Sequence, residues 1–332
     1  MNFNENLLDK LIAHFLGQER LKNGAVRRYV PILGKVDKLL LDLFSGVYDG
    51  TKEQMTEFVK RVRAEKRAVY KKFERELTRE LKLLSVAEAT HMSKLLGVKL
   101  TKGLINRPDR EKLERIVRQE IRGLTIGAIM KKLETNDINN FIVNAKTSVL
   151  DGLSLVEARN RLRSANKAKR RHAGTIVHTI MAHVTAEADR KVFKDNKHLI
   201  KGVKLIVTFD NRTSSICIQH SANDILFPVD KYPQPPFHMN CRTRAMPITK
   251  SFSELAGKVG AKIPVGTRVS MTGTVPANLT YGKWLKNQSA KIQIDALGRT
   301  RAKLFRQGKF TVDKFIDPTG KFYTIDELFN RI

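Results

Sequence analysis

The only two cysteines of this chain lie in one short stretch, and each is three residues from a histidine. Cys217 precedes His220, whereas His238 precedes Cys241, so the two pairs have mirrored order. Thiolate and imidazole groups from two such pairs can hold a tetrahedral Zn²⁺ ion, and the separation between the pairs is similar to zinc-finger spacing. The pattern therefore predicts that the four side chains converge, with structural zinc as the candidate cofactor.

Two other arrangements of these residues stay open. The cysteines can be buried thiols, which behave as small hydrophobic groups, with the histidines bonded to the backbone. They can also form a disulfide, but the N-terminus lacks the basic segment and cleavage site of a signal peptide, which favours a reducing compartment. We expect the two cysteines to lie close together and to be reduced.

The residues around the two pairs predict short strands joined by turns. A β-rich run at 203–209 leads into a polar turn that begins at Asp210, and a second strand is predicted at 224–229. Asp210 is expected to accept backbone amides of the turn. Arg212 and Arg242 are expected to brace a carboxylate or a carbonyl with their planar guanidinium groups.

Two sequence blocks carry a resemblance to a known family. They read Asp210-x-Arg212-Thr213-Ser214-x-x-Cys217 and Pro235-Pro236-x-His238-x-Asn240-Cys241-Arg242. Together they resemble the signature of phage head-morphogenesis proteins, the minor capsid proteins similar to protein F of phage Mu. The resemblance spans about residue 85 to the C-terminus. In that family the position of His220 is usually another residue, whereas seven positions recur, namely Asp210, Arg212, Thr213, Cys217, His238, Cys241 and Arg242.

The resemblance implies a minor capsid protein that assists head assembly or genome delivery near the portal. Its implied partners are the phage portal, other head proteins and double-stranded DNA, with no membrane during assembly. Its implied location is the capsid interior of the virion, and the host cytoplasm during assembly. The alternative function is a metal-dependent nuclease, which requires an open metal position. A four-ligand site has no such position, so we expect the protein not to be an enzyme.

Positive charge dominates the composition. The chain has 62 Lys and Arg against 33 Asp and Glu, a formal net charge of +29, which favours a polyanionic partner such as nucleic acid. The segment 161–171 holds six basic residues and no acid, so we expect it to contact DNA phosphates, with a solvated linker as the alternative. These residues are Arg161, Arg163, Lys167, Lys169, Arg170 and Arg171.

Helical spacing of apolar residues through most of the chain predicts an α+β fold that is mostly helical, with a small β-rich Cys/His module between residues 200 and 250. Residues 1–145 are expected to form a helical region for portal, oligomer or DNA contacts. Residues 146–250 are expected to form the head-morphogenesis core, and 251–332 a linker with a helical tail. Pro31 and Gly34 are expected to interrupt an apolar segment at 29–48. A long helix is expected to end at Leu84, with Ser85 as the N-cap of the next helix.

Overall fold

The structure is a computed structural model, and it describes residues 3–97, 105–221, 225–250, 254, 267–271, 273–276 and 279–330. In this part of the chain the fold is mostly helical, with two small antiparallel sheets of two strands each. The predicted α+β class is therefore confirmed, including a small sheet next to the Cys/His motif.

Long helices make up the first two thirds of the chain. Their bounds are Phe3–Gly46 for α1, Lys52–Gly97 for α2, Ile126–Leu150 for α4 and Leu155–Asp195 for α5. Between α2 and α4, the short α3 spans Arg110–Glu114 and continues as a 3₁₀ turn over Arg115–Arg118. Among the described residues, no helix combines the length and the apolar character that crossing a bilayer requires.

Shorter elements follow. The strands are Ile200–Ile206 (β1), Arg244–Thr249 (β2), Thr267–Ser270 (β3) and Gly273–Pro276 (β4). The helices are Ser215–Ser221 (α6), Tyr281–Lys286 (α7), Ala290–Leu297 (α8), Arg299–Arg306 (α9) and Ile325–Phe329 (α10), with a 3₁₀ turn at Val312–Phe315. β1 pairs with β2, and β3 pairs with β4.

The predicted interruption at Pro31 and the predicted helix boundary at Ser85 are wrong, because buried helix faces continue past both residues. Pro31 lies inside α1, where Tyr29 and Leu33 on either side are buried, and burial outweighs the roughly 3 kcal/mol cost of an interior proline. Ser85 lies inside α2, and its hydroxyl donates to the Lys82 carbonyl at 2.8 Å instead of capping a helix start. The segment 161–171 is also continuous helix, as part of α5.

The strand predictions need correction as well. β1 ends at Ile206, and its partner β2 follows the second Cys/His pair instead of preceding it. In the segment predicted as the second strand, Phe227 forms only an isolated bridge with Val203, and residue 224 lies outside the described residues. The predicted linker after residue 250 contains the β3–β4 hairpin; its residues 251–253, 255–266, 272 and 277–278 lie outside the described part.

The chain divides into two compact units. The first, called here the helical unit, comprises Gln18–Ala87 and Asp109–Thr185; the second, called the Cys/His unit, comprises Met1–Gly17, Glu88–Pro108 and Ala186–Ile332. The predicted division at residues 145 and 250 concerned functional regions and stays a prediction.

A buried ion cluster lies in the helical unit. Lys66 is 1% exposed, and its Nζ donates to Asp37 and to Asp137, each at 2.8 Å. The Tyr70 hydroxyl also donates to Asp137, at 3.0 Å, and Arg170 donates to Asp37 at 2.5 Å. Two cations therefore neutralise two buried carboxylates, and of these cations Lys66 is buried while Arg170 is partly exposed. Removal of one member of such a cluster lowers the stability of the fold strongly, because a partner charge stays buried and unpaired.

Replacing Lys66 by alanine tests the cluster. Lys66→Ala leaves Asp137 without its cation, so we expect it to lower the free energy of unfolding by about 3–5 kcal/mol. Lys60→Ala is the matched control, because Lys60 is 67% exposed in its pair with Glu57, and exposed pairs contribute little. Urea unfolding followed by circular dichroism measures both. Equal small losses of stability in the two variants would contradict the cluster's role.

Candidate metal centre

Three of the four predicted ligands converge in the Cys/His unit. Cys217 lies on the buried side of α6, and His238 and Cys241 lie on the loop that leads into β2. Both cysteines are 3% exposed and carry free thiols. They belong to a hydrophobic core to which the C-terminal helices contribute Tyr281 and Trp284.

The separations between the ligand atoms fit a shared metal ion. Cys217 Sγ lies 3.8 Å from Cys241 Sγ and 3.2 Å from His238 Nε2, and all three ligand atoms lie within 4.8 Å of one another. Two sulfurs that each bind a tetrahedral zinc at ~2.3 Å are about 3.8 Å apart. A buried Cys₂His group of this kind can hold a metal ion.

The ligand loop is shaped by a tight turn. The Cys241 amide donates to the His238 carbonyl at 3.2 Å, and Asn240 has a φ of +57°, a conformation that asparagine tolerates better than most residues. His238 Nδ1 lies 2.7 Å from the Met239 carbonyl oxygen. Since a carbonyl only accepts, Nδ1 carries the proton, and Nε2 of the neutral ring keeps the lone pair that a metal needs.

His220, the predicted fourth ligand, is not part of the described metal-binding group. It lies one turn after Cys217 on α6, and its ring packs against Phe237 with the ring centroids 4.2 Å apart. Burial lowers the pKa of His220, which favours the neutral ring. The structure therefore brings three of the four predicted ligands together, and metal ligation by His220 stays a prediction.

The two thiols are hydrogen-bonded to each other at 3.8 Å. The hydrogen bond between them, together with burial, raises the pKa of Cys217, and the same hydrogen bond lowers the pKa of Cys241. Thr243 Oγ1 also donates to Cys217 Sγ, at 3.0 Å. A divalent metal that uses both sulfurs displaces the protons of the thiols that it binds.

A bidentate ion pair braces the centre. Both terminal nitrogens of the Arg242 guanidinium donate to the Asp210 carboxylate, at 2.5 and 2.9 Å. Burial raises the pKa of Asp210, but the hydrogen bonds from Arg242 and from the Arg212 amide outweigh it, so the net pKa is below the usual value. The roles expected for Asp210 and Arg242 agree with these contacts. Thr213 contributes through its hydroxyl, which donates to the Thr208 carbonyl at 2.6 Å.

The brace expected from Arg212 is only a loose, exposed ion pair with Asp210. Its guanidinium is 3.9 Å from Asp210, and the side chain is 80% exposed. Arg242 already occupies both carboxylate oxygens, so the second arginine points to solvent. The motif residues alone could not show which arginine takes the carboxylate.

The C-terminal tail packs against α6, and the sequence motifs did not predict this contact. Ser215 Oγ donates to the Gly320 carbonyl at 2.7 Å, and the Tyr281 hydroxyl donates to the Asp210 carbonyl at 2.8 Å. The large apolar residues of the tail were a signal for a packed segment. They did not indicate that the segment packs on the cysteines.

The six basic residues proposed for DNA contact all lie on α5 in the helical unit. The expectation that they lack acidic partners is wrong for two of them, since Arg161 pairs with Asp151 at 2.7 Å and Arg170 pairs with Asp37. Asp37 lies on α1, far from the run in sequence, and Asp151 lies just before α5. In the described part of the chain, no ion pair involves Arg163, Lys167, Lys169 or Arg171. Arg163, Lys167 and Arg171 are exposed and recur every four residues, so they share one helix face.

Replacement of Gly320 by alanine tests the support of α6. Gly320 has a φ of +83°, and a Cβ there would lie 3.0 Å from Ile216, the residue before Cys217. Gly308→Ala is the matched control, because Gly308 has a φ of +71° but no atom within 4 Å of the added Cβ. We expect stability to fall by about 1 kcal/mol for Gly308→Ala and by a further ~1–3 kcal/mol for Gly320→Ala.

Urea unfolding measures the stability of both glycine variants, and competition with a chelator measures their zinc affinity. Only Gly320→Ala should weaken zinc binding, because only it displaces the helix that carries Cys217. Identical stability and zinc affinity in the two variants would contradict this coupling.

Support for the metal centre comes from the residues of this chain. No protein-family model, no curated protein and no solved structure matches this chain. The resemblance to phage head-morphogenesis proteins rests on the residues of the two motif blocks.

Proposed function

We propose that this chain is a DNA-associated minor capsid protein of phage heads, and that structural zinc holds its Cys/His centre. The observation that carries the DNA part is the exposed basic stripe of Arg163, Lys167 and Arg171 on α5. The net charge of +29 supports it, and the motif resemblance supports the capsid class. The proposed partners are the portal, other head proteins and double-stranded DNA, in the capsid interior.

The donor set favours zinc over other common metals. Two thiolates and one imidazole are soft or borderline ligands, which suit Zn²⁺ better than Mg²⁺ or Ca²⁺. When bound, zinc would join α6 to the loop before β2, segments that are 24 residues apart between Cys217 and Cys241. The residues of the chain already preorganise this link, because Thr243, Asp210 and Arg242 position the ligand segments.

Binding to DNA is proposed to be independent of sequence. Lys and Arg contacts to phosphates release counterions and do not read bases. Arg161 and Arg170 contribute less to such contacts than predicted from the sequence, because Asp151 and Asp37 neutralise them. The stripe is the part of the run whose charge faces solvent.

A metal-dependent nuclease is the second candidate, and one observation favours it. With His220 packed on Phe237, the centre has three described ligands rather than four, and an open position is the mark of catalytic zinc sites. Incubation of the zinc-loaded protein with plasmid DNA distinguishes the two functions. Nicking that His238→Ala abolishes would favour the nuclease, and intact plasmid would favour the capsid role.

Metal analysis tests the zinc centre. We expect one zinc per chain by inductively coupled plasma mass spectrometry of the purified protein. Cys217→Ser, Cys241→Ser and His238→Ala should each lower zinc affinity at least about tenfold, because each removes a ligand. His220→Ala should keep stoichiometric zinc, as should the control His172→Ala, whose histidine is exposed on α5. Zinc-free protein, or loss of zinc in His220→Ala alone, would contradict the three-ligand centre.

The salt dependence of DNA binding tests the basic stripe. Removing one phosphate contact should flatten the plot of log affinity against log salt concentration by about 0.9, so the slope of the triple variant Arg163→Ala, Lys167→Ala, Arg171→Ala should fall by up to about 2.7. The change should be equal for unrelated duplexes, because phosphate contacts do not read bases.

The matched control removes the same charge from α9, through Arg299→Ala, Lys303→Ala and Arg306→Ala. Its salt slope should change less than that of the stripe variant. An unchanged slope in the stripe variant, with helix content intact by circular dichroism, would show that the stripe does not contact DNA.

A further inference from the structure

A pocket open to solvent lies against the metal centre. It is a small, half-open depression, and Cys217 and His238 form part of its wall. Arg212 and Arg242 also line it, with hydroxyl groups of Thr and Ser residues and the amide of Asn240, and its described lining includes no carboxylate. Two of the three metal ligands are therefore reachable from a cavity whose charged lining is entirely cationic.

A metal held by the three ligands needs a fourth one. Structural zinc in proteins is almost always four-coordinate, and among the described residues no further Cys, His, Asp or Glu side chain joins the group. Since Cys217 and His238 face the pocket, a small molecule in the pocket can reach the metal they hold.

The local charge favours an anion in that position. Zn²⁺ with two thiolates and a neutral imidazole is neutral overall. Asp210 neutralises Arg242 through two hydrogen bonds, whereas Arg212 is 3.9 Å from that carboxylate and 80% exposed. One positive charge of Arg212 is therefore left at the pocket, and a planar guanidinium suits two oxygens of one oxyanion.

We propose that this pocket binds a phosphate oxyanion, with one oxygen as the fourth ligand of the metal and Arg212 on the other oxygens. The inference rests on the proposed zinc centre. The phosphate can be free or can belong to a nucleic acid. The pocket opens to solvent, so a larger ligand that carries the phosphate group can extend out of it.

Cobalt substitution tests the inference, because the visible bands of Co²⁺ report its ligands without any measurement of activity. The full chain is loaded with Co²⁺ and titrated in separate arms with inorganic phosphate, with a 5′-phosphorylated oligonucleotide and with the same oligonucleotide without its phosphate. We expect a saturable band shift with phosphate. A shift with the phosphorylated oligonucleotide alone would assign the group to nucleic acid, and a shift with inorganic phosphate alone would assign it to free phosphate.

Variants identify the binding residue. Arg212→Ala should weaken the apparent phosphate affinity about tenfold or more, since it removes charge-assisted hydrogen bonds. Arg299→Ala, on α9 and away from the pocket lining, should leave it unchanged. Equal affinities in both variants would overturn the role of Arg212.

The outcomes separate this inference from the zinc proposal. If Co²⁺ does not bind, the metal centre itself is wrong. If Co²⁺ binds but no phosphate arm shifts its bands, the centre stands and the phosphate pocket is overturned. If the shift appears only in His220→Ala, the imidazole of His220 fills the fourth position in solution, which also overturns the inference.

Discussion

The ion pair between Asp210 and Arg242 is the interaction on which the Cys/His centre depends. It joins the turn after β1 to the residue that follows Cys241, by two charge-assisted hydrogen bonds. Tyr281 of the C-terminal tail donates to the carbonyl of the same Asp210. Three separated segments therefore meet at Asp210, and the two thiols lie 3.8 Å apart. These contacts preorganise the centre, so the binding of a metal ion requires little further ordering of the chain.

Much of the centre could be predicted from residue type and spacing, but the fourth ligand could not. The spacing of three residues between Cys217 and His220 suits metal ligands on a turn. It therefore did not predict that both residues lie on α6, which spans Ser215–Ser221. The ring of Phe237 contacts His220 only in the folded chain, so the spacing of the motif could not predict this contact. Likewise, no pattern near Arg170 reveals its partner Asp37, which is 133 residues away. Local signals such as Pro31 and Ser85 were overridden by burial on long helices.

The centre combines a closed side with an accessible one. On the closed side, Cys217 and Cys241 share a hydrophobic core with Trp284 and Phe315. On the accessible side, Arg212 extends into solvent beside the pocket. A packed core holds the ligands rigidly, and the exposed arginine can respond to a ligand without disturbing that core.

The cluster of Lys66, Asp37, Asp137 and Arg170 also constrains how sequences of this kind can diverge. Its members come from α1, α2, α4 and α5, and their charges sum to zero around two buried carboxylates. Loss of any one charge leaves an unbalanced partner, whereas coordinated replacement by apolar residues of similar volume can be tolerated. Substitutions at these four positions should therefore covary among homologues, and Arg170 should follow Asp37 rather than its basic neighbours on α5.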